Sequence, residues 1–237
     1  MLIRLQPKVT AVPLKNASLK KIVNVYQQKY ANGLPAGFGD YLRGSLCMLQ
    51  IARMNNIQFD MNFETQVAVS LTDYIEMIRL KTAVLLGGAL KIGALIAGAS
   101  TAESDLLEGF GENLGIAFQI QDDYLDAFGD PKTFGKQVGG DIIENKKTYL
   151  YLKALELSKF NKCKKLSQLF NTSPEDNTEK IKIVKKIFQE SGSAKATKQA
   201  IEYYTNLAFI VLDSLSISEE NKFILRTFGE KLMNRTV

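Results

Sequence analysis

From Ile57 onward the apolar positions recur every three or four residues, the period of helices that each bury one face. Ser70-Leu-Thr-Asp73 has the form of a capping box, with Asp in place of the usual Glu, and predicts a helix start. The helix it opens runs through Tyr74, Ile75 and Ile78, and a second, more apolar one extends to about Ala99. Ser104 is the expected cap of a third helix that reaches about Phe128. A Gly/Pro/Lys loop follows, Gly129 to Gly140, and then helices near 147–158 and 162–170. The polar run Asn171-Thr-Ser-Pro-Glu-Asp-Asn precedes a helix near 178–190. Ser191-Gly-Ser separates it from helices near 194–215 and 218–233. Residues 1–56 are less periodic. Pro7, Pro13, Pro35 and the glycines of 32–40 interrupt them, and short helices are expected near 17–31 and 40–54. Few stretches alternate as strands do. The expected class is all-α, a bundle of many helices with short connections.

Two stripes run along the third predicted helix. Phe110, Leu114, Ala117, Leu125 and Phe128 form an apolar one. Beside it, Gly115, Gln119, Asp122 and Asp126 follow a 4-3-4 spacing, which reads as the wall of a cavity. Asp122 and Asp126 stack on one face, and Asp123 lies about 100° round the axis. Carboxylates this close repel unless they are solvated or share a cation. Hard oxygen donors at this spacing suit Mg²⁺, which keeps several waters and bridges to substrate phosphates.

The other chemistry is cationic. Lys81 falls on the line Tyr74, Ile78, Lys81, Leu85, which predicts either a snorkelling lysine or an anion ligand, with the Thr82 hydroxyl beside it. Lys132 and Lys136 stand among Gly129, Gly135, Gly139 and Gly140, and the segment continues to Lys146, Lys147 and Thr148. Glycines let backbone N–H groups approach an anion, and lysines add point charge. A solvated basic loop is the alternative. The spacing is not that of a Walker P-loop.

Composition narrows the options. The chain of 237 residues, 46% hydrophobic, suits one sizeable core. It has no His, which removes His-based triads and zinc sites built on His. Cys47 and Cys163 have no metal-ligand spacing and are expected as free thiols of a reducing, cytoplasmic compartment. No secretory signal is expected at the start. The apolar stretch Ala83 to Ala99 is interrupted by Lys91 and several glycines, so it is expected as a core helix and not a membrane span. Its Ala89, Gly93 and Ala97 form a small-residue stripe suited to close helix approach. Residues 1–59 carry eight Lys/Arg against the single acid Asp40, a net +7, which leaves −2 for the remainder of a +5 chain. These charges are scattered, without aromatic platforms, and no nucleic-acid partner is expected.

The motifs resemble those of the trans-type polyprenyl synthetases, the isoprenyl diphosphate synthases. Phe118-Gln119-x-x-Asp122-Asp123-x-x-Asp126 is similar to the family's second aspartate-rich motif. Gly135-Lys136-x-x-Gly139-Gly140-Asp141-Ile142, continuing to Lys146 and Thr148, is similar to the segment after it, and Arg79-Leu-Lys81-Thr82-Ala83 resembles the Lys-Thr motif. The resemblance implies an isoprenoid-synthase-like multi-helix bundle around a central cavity, with residues 57–237 as the synthetase-like domain and 1–56 as a truncated or divergent basic segment. It implies a prenyltransferase of isoprenoid biosynthesis, condensing an allylic diphosphate with isopentenyl diphosphate. Asp122, Asp123 and Asp126 would hold Mg²⁺. Lys81, Lys136 and Lys146 would contact the diphosphate, and Thr82 and Gln119 would line the reacting carbons. A homodimer, or a heteromer with a complete synthase, is the implied assembly.

The sequence departs from the family pattern in its first third. With one acid in residues 1–59, the first aspartate-rich motif and the arginine pair for isopentenyl diphosphate have no counterpart there, and Asn56-Ile57 replaces the Gly-Gln ahead of Asp60. Impaired activity, a non-catalytic subunit role or a terpene cyclase are the alternatives this leaves open.

Overall fold

The computed structural model describes residues 69–130 and 138–234, all within one compact unit, Gly44–Val237. The expectations placed on residues 1–68, including the divergent segment and Cys47, and on Lys132, Gly135 and Lys136 lie outside the described residues. Within them the architecture is all-helical, with no strand among the described residues.

Helix α1 (Leu71–Ile78) opens on the predicted capping box. Ser70 Oγ accepts from Asp73 N at 3.1 Å, and Ser70 N donates to Asp73 Oδ2 at 3.0 Å. It buries Tyr74, Met77 and Ile78. The chain then widens into a π-helical turn, Arg79–Ala83, before α2 (Val84–Ile96). A π turn inserts one residue and shifts every later side chain round the axis. The stripe expected from Tyr74 to Leu85 therefore breaks. Lys81 is exposed and so is Leu85, at 63%, while Ala83, Gly87 and Ala94 turn inward.

Helix α3 (Thr101–Phe128) is the spine of the described unit, packing chiefly on α2 and α8 (Ser193–Ser214). Its cap is Ser100 and not Ser104. Ser100 accepts from Glu103 N, Glu103 reciprocates, and Ser104 is buried with its hydroxyl donating to Thr101 O at 2.8 Å. The α2–α3 crossing is backbone-close. A Cβ on Gly111 would lie 2.8 Å from Gly87 Cα, and one on Gly115 would lie 2.5 Å from Ala83 Cα. Gly115 thus serves helix contact and not a cavity wall. The predicted small-residue stripe is also corrected: Ala89, Gly93 and Ala97 are exposed, and a Cβ on Gly93 would meet nothing within 4 Å.

Between the expected loop and the next predicted helix the chain forms α4 (Gly140–Ile143), a one-turn helix that the periodicity does not predict. Then come α5 (Tyr149–Leu157), α6 (Phe160–Leu169), α7 (Thr178–Glu190), α8 and α9 (Glu219–Met233), each close to its predicted position. Apolar faces meet in two clusters. One is centred on Tyr74, Ile120, Leu150, Val184 and Phe188, the other on Phe110, Leu114, Ala208 and Leu212. Among the described residues no helix is long and apolar enough to cross a membrane. Lys91, which interrupts α2, pairs with Asp105 at 2.6 Å and Glu108 at 2.5 Å. Cys163 is a free thiol whose Sγ donates to Leu155 O and Ser158 O.

Candidate active site

The last two turns of α3 carry the aspartates, and the π turn brings Thr82 to face them. Thr82 Oγ1 donates to Gln119 Oε1 at 3.0 Å, and Gln119 Nε2 donates to Asp123 Oδ1 at 3.1 Å. The other oxygen of Asp123, Oδ2, accepts from the Tyr74 hydroxyl. One hydrogen-bonded line, Thr82–Gln119–Asp123–Tyr74, therefore ties α1, the π turn and α3 together. Asp123 is 8% exposed with both oxygens engaged, so it faces inward, whereas Asp122 and Asp126 are half-buried.

Asp126 organises the segment that follows. Its backbone oxygen accepts from Gly139 N at 2.7 Å, and its Oδ2 accepts from Asp141 N at 3.0 Å at the start of α4. Gly139 has φ +88°, a conformation that favours glycine. A Cβ on Gly140 would sit 3.2 Å from Asp126 Oδ1, so a small residue lets the carboxylate reach the α4 backbone. Lys146, half-exposed, donates to Asp141 Oδ1 at 2.9 Å and pairs with Glu144 at 2.7 Å. Lys81 sits on the π turn next to Thr82 with its side chain exposed.

The electrostatics follow from this crowding. Burial pushes the Asp123 carboxyl up to about 7; the Tyr74 and Gln119 hydrogen bonds oppose this, and the charges of Asp141 and Asp122 add to it. Burial, with Asp141 and Asp122 nearby, pushes Asp126 up to about 6, against the Asp141 N–H and the Lys146 charge. The Tyr74 hydroxyl is held well above its ordinary value by burial and by Asp123. Burial works against the charge on Lys146, yet its bonds to Glu144 and Asp141 hold its amine above the usual lysine range. The site thus gathers the carboxylates of Asp122, Asp123, Asp126 and Asp141, all hard oxygen donors. That donor set fits a hard divalent cation. Among the described residues no three carboxylates converge into a complete metal cage.

Tyr74 was not anticipated as part of the site, because its spacing marks it as core. The available signal was its hydroxyl, since a buried tyrosine oxygen needs a partner. Asp141, within the glycine-rich motif, touches both Asp126 and Lys146.

Residues 45–188 match the polyprenyl synthetase family model. A geranylfarnesyl diphosphate synthase from Aeropyrum pernix is 32% identical over 178 residues, 75% of this chain and 54% of that protein. A geranylgeranyl diphosphate synthase from Sulfolobus acidocaldarius is 50% identical over 100 residues, 42% of this chain and 30% of that protein. The chain thus spans about half or less of the length of these curated relatives. A crystal structure of geranylgeranyl pyrophosphate synthase superposes with a TM-score of 0.79 at 45% identity, covering 86% of this chain and 63% of that one. Another, from Corynebacterium glutamicum and complexed with isoprenyl diphosphate and magnesium, gives 0.76 at 26% identity, covering 91% and 61%. The extent of the family match makes the conclusion plain: this chain belongs to the polyprenyl synthetase family.

Proposed function

We propose that this chain is a prenyltransferase of isoprenoid biosynthesis that binds an allylic diphosphate and joins it to isopentenyl diphosphate. The observation that supports this most directly is the line Thr82–Gln119–Asp123–Tyr74. It places the Lys81-Thr82 turn against the aspartate helix, while Asp126 holds the Lys146 segment beside both.

Asp122 and Asp126 would hold Mg²⁺, with Asp123 buttressing them from behind; when bound, the ion would supply positive charge for the diphosphate. The chain's own residues do the rest. Lys81, Lys136 and Lys146 bind the diphosphate oxygens, and Lys146 exchanges its contact with Asp141 for phosphate. The allylic carbon–oxygen bond breaks, its electron pair stays on the diphosphate, and the lysines stabilise that charge. The Thr82 hydroxyl and the Gln119 amide would line the site near the reacting carbons. The alkene of isopentenyl diphosphate attacks the cation, a carbon–carbon bond forms, and a proton is lost to the released diphosphate. Apolar walls exclude water from the cation.

The working unit is a homodimer in the cytoplasm, with residues 57–237 as the helical domain and 1–56 as a basic segment ahead of it. The test is incubation of purified protein with Mg²⁺, labelled isopentenyl diphosphate and an allylic primer, followed by extraction of labelled product. Product formation that falls by ~100-fold or more in Asp122→Ala supports the assignment. An absence of product, or product that survives Asp122→Ala unchanged, refutes it. Activity that appears solely on mixing with a complete but inactive synthase replaces it with a subunit role.

A further inference from the structure

Lys180, near the start of α7, is 3% exposed, and its amine bonds to neutral oxygens. Its amine donates to Asn145 Oδ1 at 2.7 Å and to Thr172 O at 2.9 Å. Burial pulls that amine below the usual lysine range. A buried lysine with no anionic partner among the described residues is costly, so what its two hydrogen bonds hold in place is worth following.

What it holds is specific. Asn145 has φ +58°, alone in that region among the described non-glycine residues. Backbone in this conformation is strained, though Asn tolerates it better than most residues. The Asn145 amide also reaches Thr172 O and Ser173 Oγ, both at 3.4 Å. The next residue is Lys146, whose N–H closes the α4 turn on Asp141 O at 2.9 Å and whose amine meets the Asp141 carboxylate. The adjacent residue of α7, Ile181, packs on Gly139 at the other end of the same segment. The first turns of α7 therefore grip both ends of α4, one by an apolar contact and one by the Lys180 amine.

We infer that Lys180 is a positioning residue: through Asn145 it fixes the left-handed turn that aims Lys146 at the diphosphate. Lys180 itself does not touch the ligand. It acts through one neighbour, and the distances above define the route. The inference rests on the proposed diphosphate reading of the site.

The test measures binding of inorganic pyrophosphate with Mg²⁺ by calorimetry, in the full chain, for wild type, Lys180→Met, Lys146→Ala and the double variant. Removing an outer group that orients a ligand-binding one costs on the order of 10-fold in affinity. Lys180→Met is expected to lose about that much in the wild-type background, and less than about 2-fold once Lys146 is already Ala. Equal losses in both backgrounds would mean general loosening and would overturn the inference. Wild-type affinity in a folded Lys180→Met protein would overturn it as well. Where Lys180→Met fails to fold, Asn145→Gly decides by the same criteria, because it removes the acceptor and accepts a positive φ. A wild-type chain that binds no pyrophosphate removes the diphosphate reading itself and this inference with it. Intact wild-type binding with an indifferent Lys180 removes the inference alone.

Discussion

At the scale of single residues, the site turns on which way Asp123 points. Its carboxylate is buried and held by one hydroxyl and one amide, each from a neutral donor. Tyr74→Phe deletes the hydroxyl and leaves a buried carboxylate oxygen without its donor, at a cost of about 1–3 kcal/mol in stability. Urea denaturation of the variant against wild type reads that loss directly. An unchanged midpoint and slope would show that Tyr74 does not support Asp123. The three aspartates were legible in the sequence because their spacing on one helix is local information. Their division into one inward and two more open groups was not, since it depends on Tyr74, 49 residues away in the chain. The same limit hid Lys180. Its sequence neighbourhood reads as an ordinary basic helix face, and only the meeting of α7 with the turn at Asn145 buries it.

At the scale of elements, helix existence and order were legible, because periodicity and caps are written locally. Two local features depart from the simplest helical pattern. Ser100 and Ser104 both precede apolar positions, but only Ser100 has a glutamate three residues on to reciprocate. Ser100→Ala is accordingly expected to cost ~1 kcal/mol, measured as a lower thermal midpoint. The π turn at Arg79–Ala83 was invisible to a count that assumes 100° per residue, so the face of α2 was assigned wrongly. That error has a measurable consequence at the glycines. Gly115→Ala drives a Cβ into the Ala83 backbone, 2.5 Å away, where neither helix can yield cheaply. It is expected to destabilise by about 1–3 kcal/mol and to displace the turn that carries Thr82. Gly93→Ala faces open space on the same helix pair and should instead stabilise by about 0.5–1 kcal/mol. Parallel melts of the two variants test the crossing. The sequence-only assignment would have Gly93 as the sensitive position, so the sign of each shift separates the two.

At the scale of the whole molecule, the aspartate end of α3 is a concentration of negative charge at the junction of α1, the π turn and α4. Such charge opposes folding in isolation and becomes favourable when a cation and a polyphosphate arrive together. Stability should therefore be linked to both ligands jointly. Mg²⁺ alone meets carboxylates already engaged by Tyr74, Gln119 and Asp141 N, and pyrophosphate alone meets a cluster of carboxylates that repels it. At about 100 times its dissociation constant, the pair would stabilise the folded chain by ~2.7 kcal/mol. For a chain of this size each kcal/mol moves the midpoint by roughly 2–4 °C, so a joint upward shift of roughly 5–10 °C is expected. Differential scanning fluorimetry with Mg²⁺, with pyrophosphate and with both gives the comparison. Asp122→Ala should abolish the joint shift. A joint shift no larger than the sum of the separate ones would show that the carboxylates and the Lys146 segment do not act on one ligand, and the site would have to be divided.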